Sequence, residues 1–133
     1  MQTQKTKKID LINENSKYFD KNILMTYEIT SKVINCIKNR IVSGVNPKKI
    51  IIFGSYANDT EHLYSDLDLL VVTDNPDPNR KLRMKINSLL FPRLFPLDII
   101  VNTDEEIKRL IEIEDEFYLE INENHKIIYE HED

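Results

Sequence analysis

The chain has 133 residues, 41% hydrophobic and 31% charged, with 18 Lys and Arg against 23 Asp and Glu and a net charge of −5. That length fits one domain with a real core, and the acidic balance argues against long nucleic acid as the main partner, because neutralising phosphates asks for a basic excess. The single Cys36 excludes an internal disulfide and argues against a thiolate zinc site, no apolar run is long enough to span a bilayer, and Met1 to Glu14 lacks the apolar core of a signal peptide, so a cytoplasmic protein without membrane contact is expected.

Residues 1–20 are polar, with scattered Ile9, Leu11, Ile12, Tyr18 and Phe19. They read as an N-terminal extension with room for a short helix from Ile9 to Phe19, and residues 21–133 read as the domain. From Ile23 the spacing of Ile23, Tyr27, Thr30, Ile34, Ile37 and Ile41 predicts one amphipathic helix, with Asp20 as its N-cap and Ser43-Gly44 before Asn46-Pro47 as its stop.

Ile50 to Phe53 reads as a short buried strand that ends abruptly at Gly54-Ser55. Gly54 allows a turn that a side chain would obstruct, and Ser55 opens a short helical segment to about Thr60, whose unpaired N–H groups suit a phosphate. Ten residues, Tyr56 to Ser65, separate this grip from Asp66 and Asp68. The second strand, Leu67 to Thr73, places Leu67, Leu69 and Val71 on one face, and Asp68, Leu70 and Val72 share the other with Asp66. Past the aspartates both faces are apolar, so the strand is central or covered on both sides. Two carboxylates at i and i+2 lie about 7 Å apart along the backbone and repel each other unless a hard cation lies between them. Mg2+ accepts carboxylate oxygens together with substrate phosphate oxygens, so a nucleoside triphosphate satisfies both halves of the stretch.

Asp74 to Asn79 is a turn cluster, and Arg80 to Leu90 carries Leu82, Ile86 and Leu89-Leu90 at helical spacing before Pro92. A third strand, Leu97 to Val101, brings Asp98, which would cost several kcal/mol if buried ionised and unpaired. If this strand pairs beside the second, Asp98 joins Asp66 and Asp68 on one face. Thr103 with Glu106 has the form of a capping box opening a helix to about Ile113. Phe117, Leu119 and Ile121 belong to a further helical piece, and Lys126 to Tyr129 to a short last strand. Lys48-Lys49, Arg80 to Lys85 and Arg93 lie around the proposed site, whereas Asp104 to Asp133 is acidic; solvated helix faces account for both.

Each residue also has a plainer reading. Gly54 serves as a turn glycine, Ser55 as a helix N-cap, Asp66 and Asp68 as an exposed strand edge, and Asp98 as a partner for Arg93. His62 is read as solvent-exposed, and His125 and His131 lack metal-ligand spacing. Order and flanks together favour the site.

Gly-Ser, ten residues and Asp-x-Asp resemble the signature of the DNA polymerase β-type nucleotidyltransferases, most closely the minimal nucleotidyltransferases paired with HEPN proteins. Asn46 to Ala57, Ser65 to Val71, Pro96 to Val101 and Phe117 to Tyr129 carry the resemblance. It implies an α+β (α/β) fold with a small mixed sheet packed against helices. It also implies transfer of AMP from ATP to a hydroxyl, a tyrosine of a HEPN-type toxin, with the chain as antitoxin. In those terms Asp66 and Asp68 ligate two Mg2+ ions, Asp98 ligates the ion that activates the acceptor and takes its proton, and Gly54 and Ser55 hold the triphosphate. A non-catalytic binding module and a small-molecule nucleotidyltransferase are the alternatives. Asn58-Asp59 stands where relatives often have Arg-Gly, removing a phosphate contact and adding a negative charge near the triphosphate.

Overall fold

A computed structural model describes residues 22–62 and 64–132. In chain order the elements are α1 (Ser31–Val45), β1 (Lys49–Phe53), a 3-10 turn (Gly54–Tyr56), β2 (Leu67–Thr73), α2 (Asn79–Leu89), β3 (Leu97–Thr103), α3 (Asp104–Glu112), α4 (Glu116–Glu123) and β4 (Lys126–Glu130). The four strands form one mixed sheet in the order β3-β2-β1-β4. β1 is antiparallel to both β2 and β4, and β2 is parallel to β3, with α2 in the crossover between them. This is the α+β arrangement expected from the sequence.

The alternation within β2 divides the core. Leu67, Leu69 and Val71 join Ile37, Ile41, Leu82, Ile86 and Phe95 under α1 and α2. Leu70 and Val72 join Ile51, Phe53, Tyr118 and Ile121 under α3 and α4. β2 is therefore central and covered on both faces, as its continuous apolar run requires. Each such Leu or Ile contributes about 1.5–3 kcal/mol by leaving water. Gly44 serves the helix contact, since a Cβ there would strike the Leu89 side chain of α2.

Three expectations are corrected. The helix expected from Ile23 to Ile41 begins at Ser31, with Thr30 as the N-cap accepting from the Val33 N–H, and Asn22 and Ile23 are helical residues separate from it. The chain from Leu24 to Thr30 turns instead, pinned by fully buried Leu24 and by the Leu94 N–H donating to the Leu24 carbonyl at 3.1 Å. The proposed Asp20 cap and the helix at Ile9 to Phe19 fall outside the described residues. The stop is Asn46, in the left-handed region at φ 50°, and not Ser43-Gly44. Finally, the segment after Gly54 is a three-residue 3-10 turn and not a helix to Thr60.

At α3 the capping box is half made. The Thr103 hydroxyl accepts from the Glu106 N–H at 3.1 Å, but the Glu106 carboxylate pairs with Arg109 on its outer side.

Candidate active site

Parallel pairing of β2 with β3 sets Leu67 opposite Leu97 and Asp68 opposite Asp98. Paired residues on adjacent strands point to the same face, so Asp98 joins Asp68 as the sequence condition required. Asp66, the residue before β2, is exposed, Asp68 is half-buried and Asp98 is exposed. On the other side, antiparallel pairing sets Phe53 of β1 opposite Asp68, so the chain leaves β1 into Gly54 beside the same carboxylate. The site thus sits where β1 ends and β2 and β3 begin.

Gly54 has φ +76°, and a Cβ added there would collide with the Asp68 carboxylate. Both the conformation and the close approach demand glycine. Ser55 is half-buried within the 3-10 turn, and among the described residues its hydroxyl is not engaged in a hydrogen bond. Its carbonyl anchors the loop, accepting from the Asn58 and Thr60 N–H groups at 3.2 and 3.0 Å. The helix-cap reading of Ser55 therefore fails, since the turn has no side-chain cap. The strand-edge reading of Asp66 and Asp68 fails as well, because β2 lies inside the sheet.

The Asp68 carboxyl is raised from 3.8 to about 6 by burial first, then by the charges of Asp98 and Asp66. Three carboxylates that repel through their charges form a set of hard oxygen donors suited to Mg2+. Among the described residues no three such groups draw close enough to enclose an ion alone. The donor set fits a divalent ion that also binds substrate oxygens, and it does not fit a closed structural metal site. Arg93 offers Asp98 no compensation. Its guanidinium donates to the Leu90 carbonyl and the Asn87 side chain, both at 3.4 Å, and burial lowers its pKa.

Charge placement differs from the expectation. Lys48 and Lys49 lie at the start of β1, the end of the sheet away from Gly54, and pair with Asp104 and Glu130 at 3.7 Å. Arg80 and Lys81 open α2, which follows the same far end of β2. Of the basic residues named from the sequence, only Arg93 lies in the loop leading to the site. The surface depression formed by Asn46, Pro47, Lys48, Asp74 and His131 also lies at the far end, and none of Asp66, Asp68 and Asp98 lines it.

One feature escaped the sequence reading. Asp59 takes a left-handed φ of 57° and its carboxylate accepts from Lys126 Nζ at 2.8 Å, joining the loop after the 3-10 turn to the first residue of β4. The negative charge expected to oppose a triphosphate is thus partnered. The sequence signal was a lysine opening the last strand, which is too common to single out. His62 is exposed as anticipated, and His125 Nδ1 lies 2.7 Å from the Ile121 carbonyl, with no role in the site.

The sequence profile of the nucleotidyltransferase domain family matches residues 31–133, and the chain belongs to that family. Among solved structures, a candidate nucleotidyltransferase from Sulfolobus solfataricus is similar in fold, with a TM-score of 0.52, 22% identity, and coverage of 74% of this chain and 78% of that one. A toxin-antitoxin structure with AMP-PNP matches with a TM-score of 0.49, 19% identity, and coverage of 74% and 73%. A comparison with curated proteins finds no match.

Proposed function

We propose that the chain transfers AMP from ATP to a hydroxyl, a tyrosine, of a HEPN-type toxin in the cytoplasm and so acts as its antitoxin. The observation that carries the reading is the register of Asp68 against Asp98 in adjacent parallel strands, with Gly54 held against Asp68 from the other side. Asp66, Asp68 and Asp98 would hold two Mg2+ ions, which when bound stabilise the attacking and leaving oxygens of an in-line displacement.

The chain's own groups have distinct tasks. Gly54, without a side chain, lets the triphosphate approach the backbone, and the Ser55 hydroxyl donates to a phosphate oxygen. Asp98, exposed at the mouth of the site, takes the proton of the acceptor hydroxyl. The acceptor oxygen bonds to the α-phosphorus as the bond to pyrophosphate breaks, and pyrophosphate leaves. The Lys126 partner of Asp59 supports catalysis despite the missing arginine, because it offsets the added charge.

The test is co-expression with the protein encoded beside this chain, followed by intact mass of that partner, with wild type and with Asp66→Asn/Asp68→Asn. The expected result is a gain of one or more AMP masses with wild type and none with the variant. An unmodified partner that is neutralised equally by both would refute transfer and leave a binding module. Labelled transfer to a small molecule alone would refute the protein acceptor.

A further inference from the structure

Two surface patches, one on each side of the sheet, match each other better than they match their own surroundings. Leu82 and Ile86 hold the inner side of α2 to the sheet, while its outer side carries Met84, 59% exposed, with Phe91, 74% exposed, just past the helix end. Arg80, Arg83 and Lys85 border these two side chains, all exposed and none of them in an ion pair among the described residues. No acidic residue falls between Arg80 and Arg93. Exposed methionine and phenylalanine inside an arginine-bearing rim have the composition of an interface core.

The other side of the sheet carries the counterpart. Ile113, the C-cap of α3, is 60% exposed, and Phe117, in the first turn of α4, is 46% exposed. The Phe117 ring is held edge to face by Phe53 and Tyr118, with centroids 5.6 and 5.3 Å away, so little rotamer freedom remains to be lost on contact. Here the rim is Glu112, Glu114 and Glu116, exposed and without ion pairs among the described residues, and no basic residue falls between Glu112 and Glu120. An apolar centre ringed by cations thus has its complement in an apolar centre ringed by anions. In such a pair the buried anchors carry the affinity and the exposed charges set encounter and orientation.

We propose that the surface of α2 around Met84 and Phe91 docks on the α3–α4 corner of a second copy of the chain, around its Ile113 and Phe117. Because α2 and α4 cover opposite faces of the sheet, a chain cannot join its own two patches. The contact is heterologous, so each docking leaves one patch of each kind free, and assembly continues until a ring closes or an open row of copies grows. This assembly goes beyond the nucleotidyl-transfer reading and stands or falls without it.

Sedimentation velocity of the full chain over a concentration series tests the proposal. Wild type should grow past two chains at low salt, and its association should weaken in about 1 M salt, which screens the rims. Met84→Ala/Phe91→Ala and Ile113→Lys should each weaken association by about 30-fold or more while keeping the far-UV circular dichroism of wild type. An equimolar mixture of these two variants should form a complex of two chains and nothing larger, since each supplies the patch that the other lacks. Wild type that stays monomeric, or that stops at a dimer, overturns the proposal, as do variants that associate as wild type does and a mixture that stays apart. If wild type is monomeric and Met84→Ala/Phe91→Ala instead loses the co-expressed neighbouring protein, the patch belongs to that protein and the second copy is overturned.

Discussion

Replacing Asp68 with asparagine should stabilise the protein while removing its chemistry. The folded-state value of about 6 lies above the ordinary 3.8, so the native state holds the Asp68 proton more tightly than the unfolded chain does. The stability associated with the neutral carboxyl is therefore complete below about pH 4, falls as pH rises, and is lost above about pH 6. That rise corresponds to about 3 kcal/mol if fully expressed, and because Asp68 is only half-buried, solvent screening reduces it to about 1 kcal/mol. Asparagine preserves the shape and the neutral state at every pH. Urea unfolding followed by far-UV circular dichroism in EDTA at pH 7.5 should place Asp68→Asn about 1 kcal/mol above wild type, or about 4 °C higher in Tm. The gap should close as pH is lowered from 6 to 4. Mg2+ should raise the stability of wild type and leave the variant nearly unchanged. A variant less stable than wild type at pH 7.5, or a gap that ignores pH, would refute the view that repulsion and burial at Asp68 are held in reserve for a cation.

Gly54→Ala should lose about 1–3 kcal/mol in the same unfolding assay and abolish transfer, because it combines a left-handed backbone with a collision against the Asp68 carboxylate. A stable, active alanine variant would show that this approach is not needed. Breaking the exposed Lys126 pair with Lys126→Met or Asp59→Asn should cost no more than about 1 kcal/mol, with a double-mutant coupling of similar size that fades in high salt. A coupling that persists at 1 M salt would mean the pair is shielded from solvent.

The positions of the candidate site residues were more legible than their surroundings. Asp68 and Gly54 fall on a strand and a turn, with Asp66 just before that strand, and local pattern identifies both well, since apolar runs and glycine report on the backbone directly. Asp98 was legible only conditionally, because nothing in its own segment states which strand lies beside it; the Asp68 to Asp98 register is a tertiary fact. The helix ending at Val45 was drawn too long at its start for a physical reason. Ile23, Tyr27 and Thr30 keep helical spacing, but Leu24 is the residue that enters the core and its carbonyl is taken by Leu94, which overrides the local period. Lysines near the motif in sequence proved distant in space because β1 runs its full length between Lys49 and Gly54. The pairing of Asp59 with a residue 67 positions away was beyond any local reading.

The sheet is completed by β4, the last strand in sequence, which lines the outer side of β1. β1 is Lys-Ile-Ile-Ile-Phe, with its four apolar residues buried. Until β4 has emerged during synthesis, the outer edge of β1 presents unpaired N–H and carbonyl groups flanked by isoleucines, the kind of edge that recruits strands from other chains. Because the most sequence-distant pairing is also the one that seals this edge, it is late to form and aggregation-exposed. The same strand that carries Lys126 to Asp59 in the loop after the 3-10 turn is thus the one that keeps nascent copies of the chain from joining edge to edge.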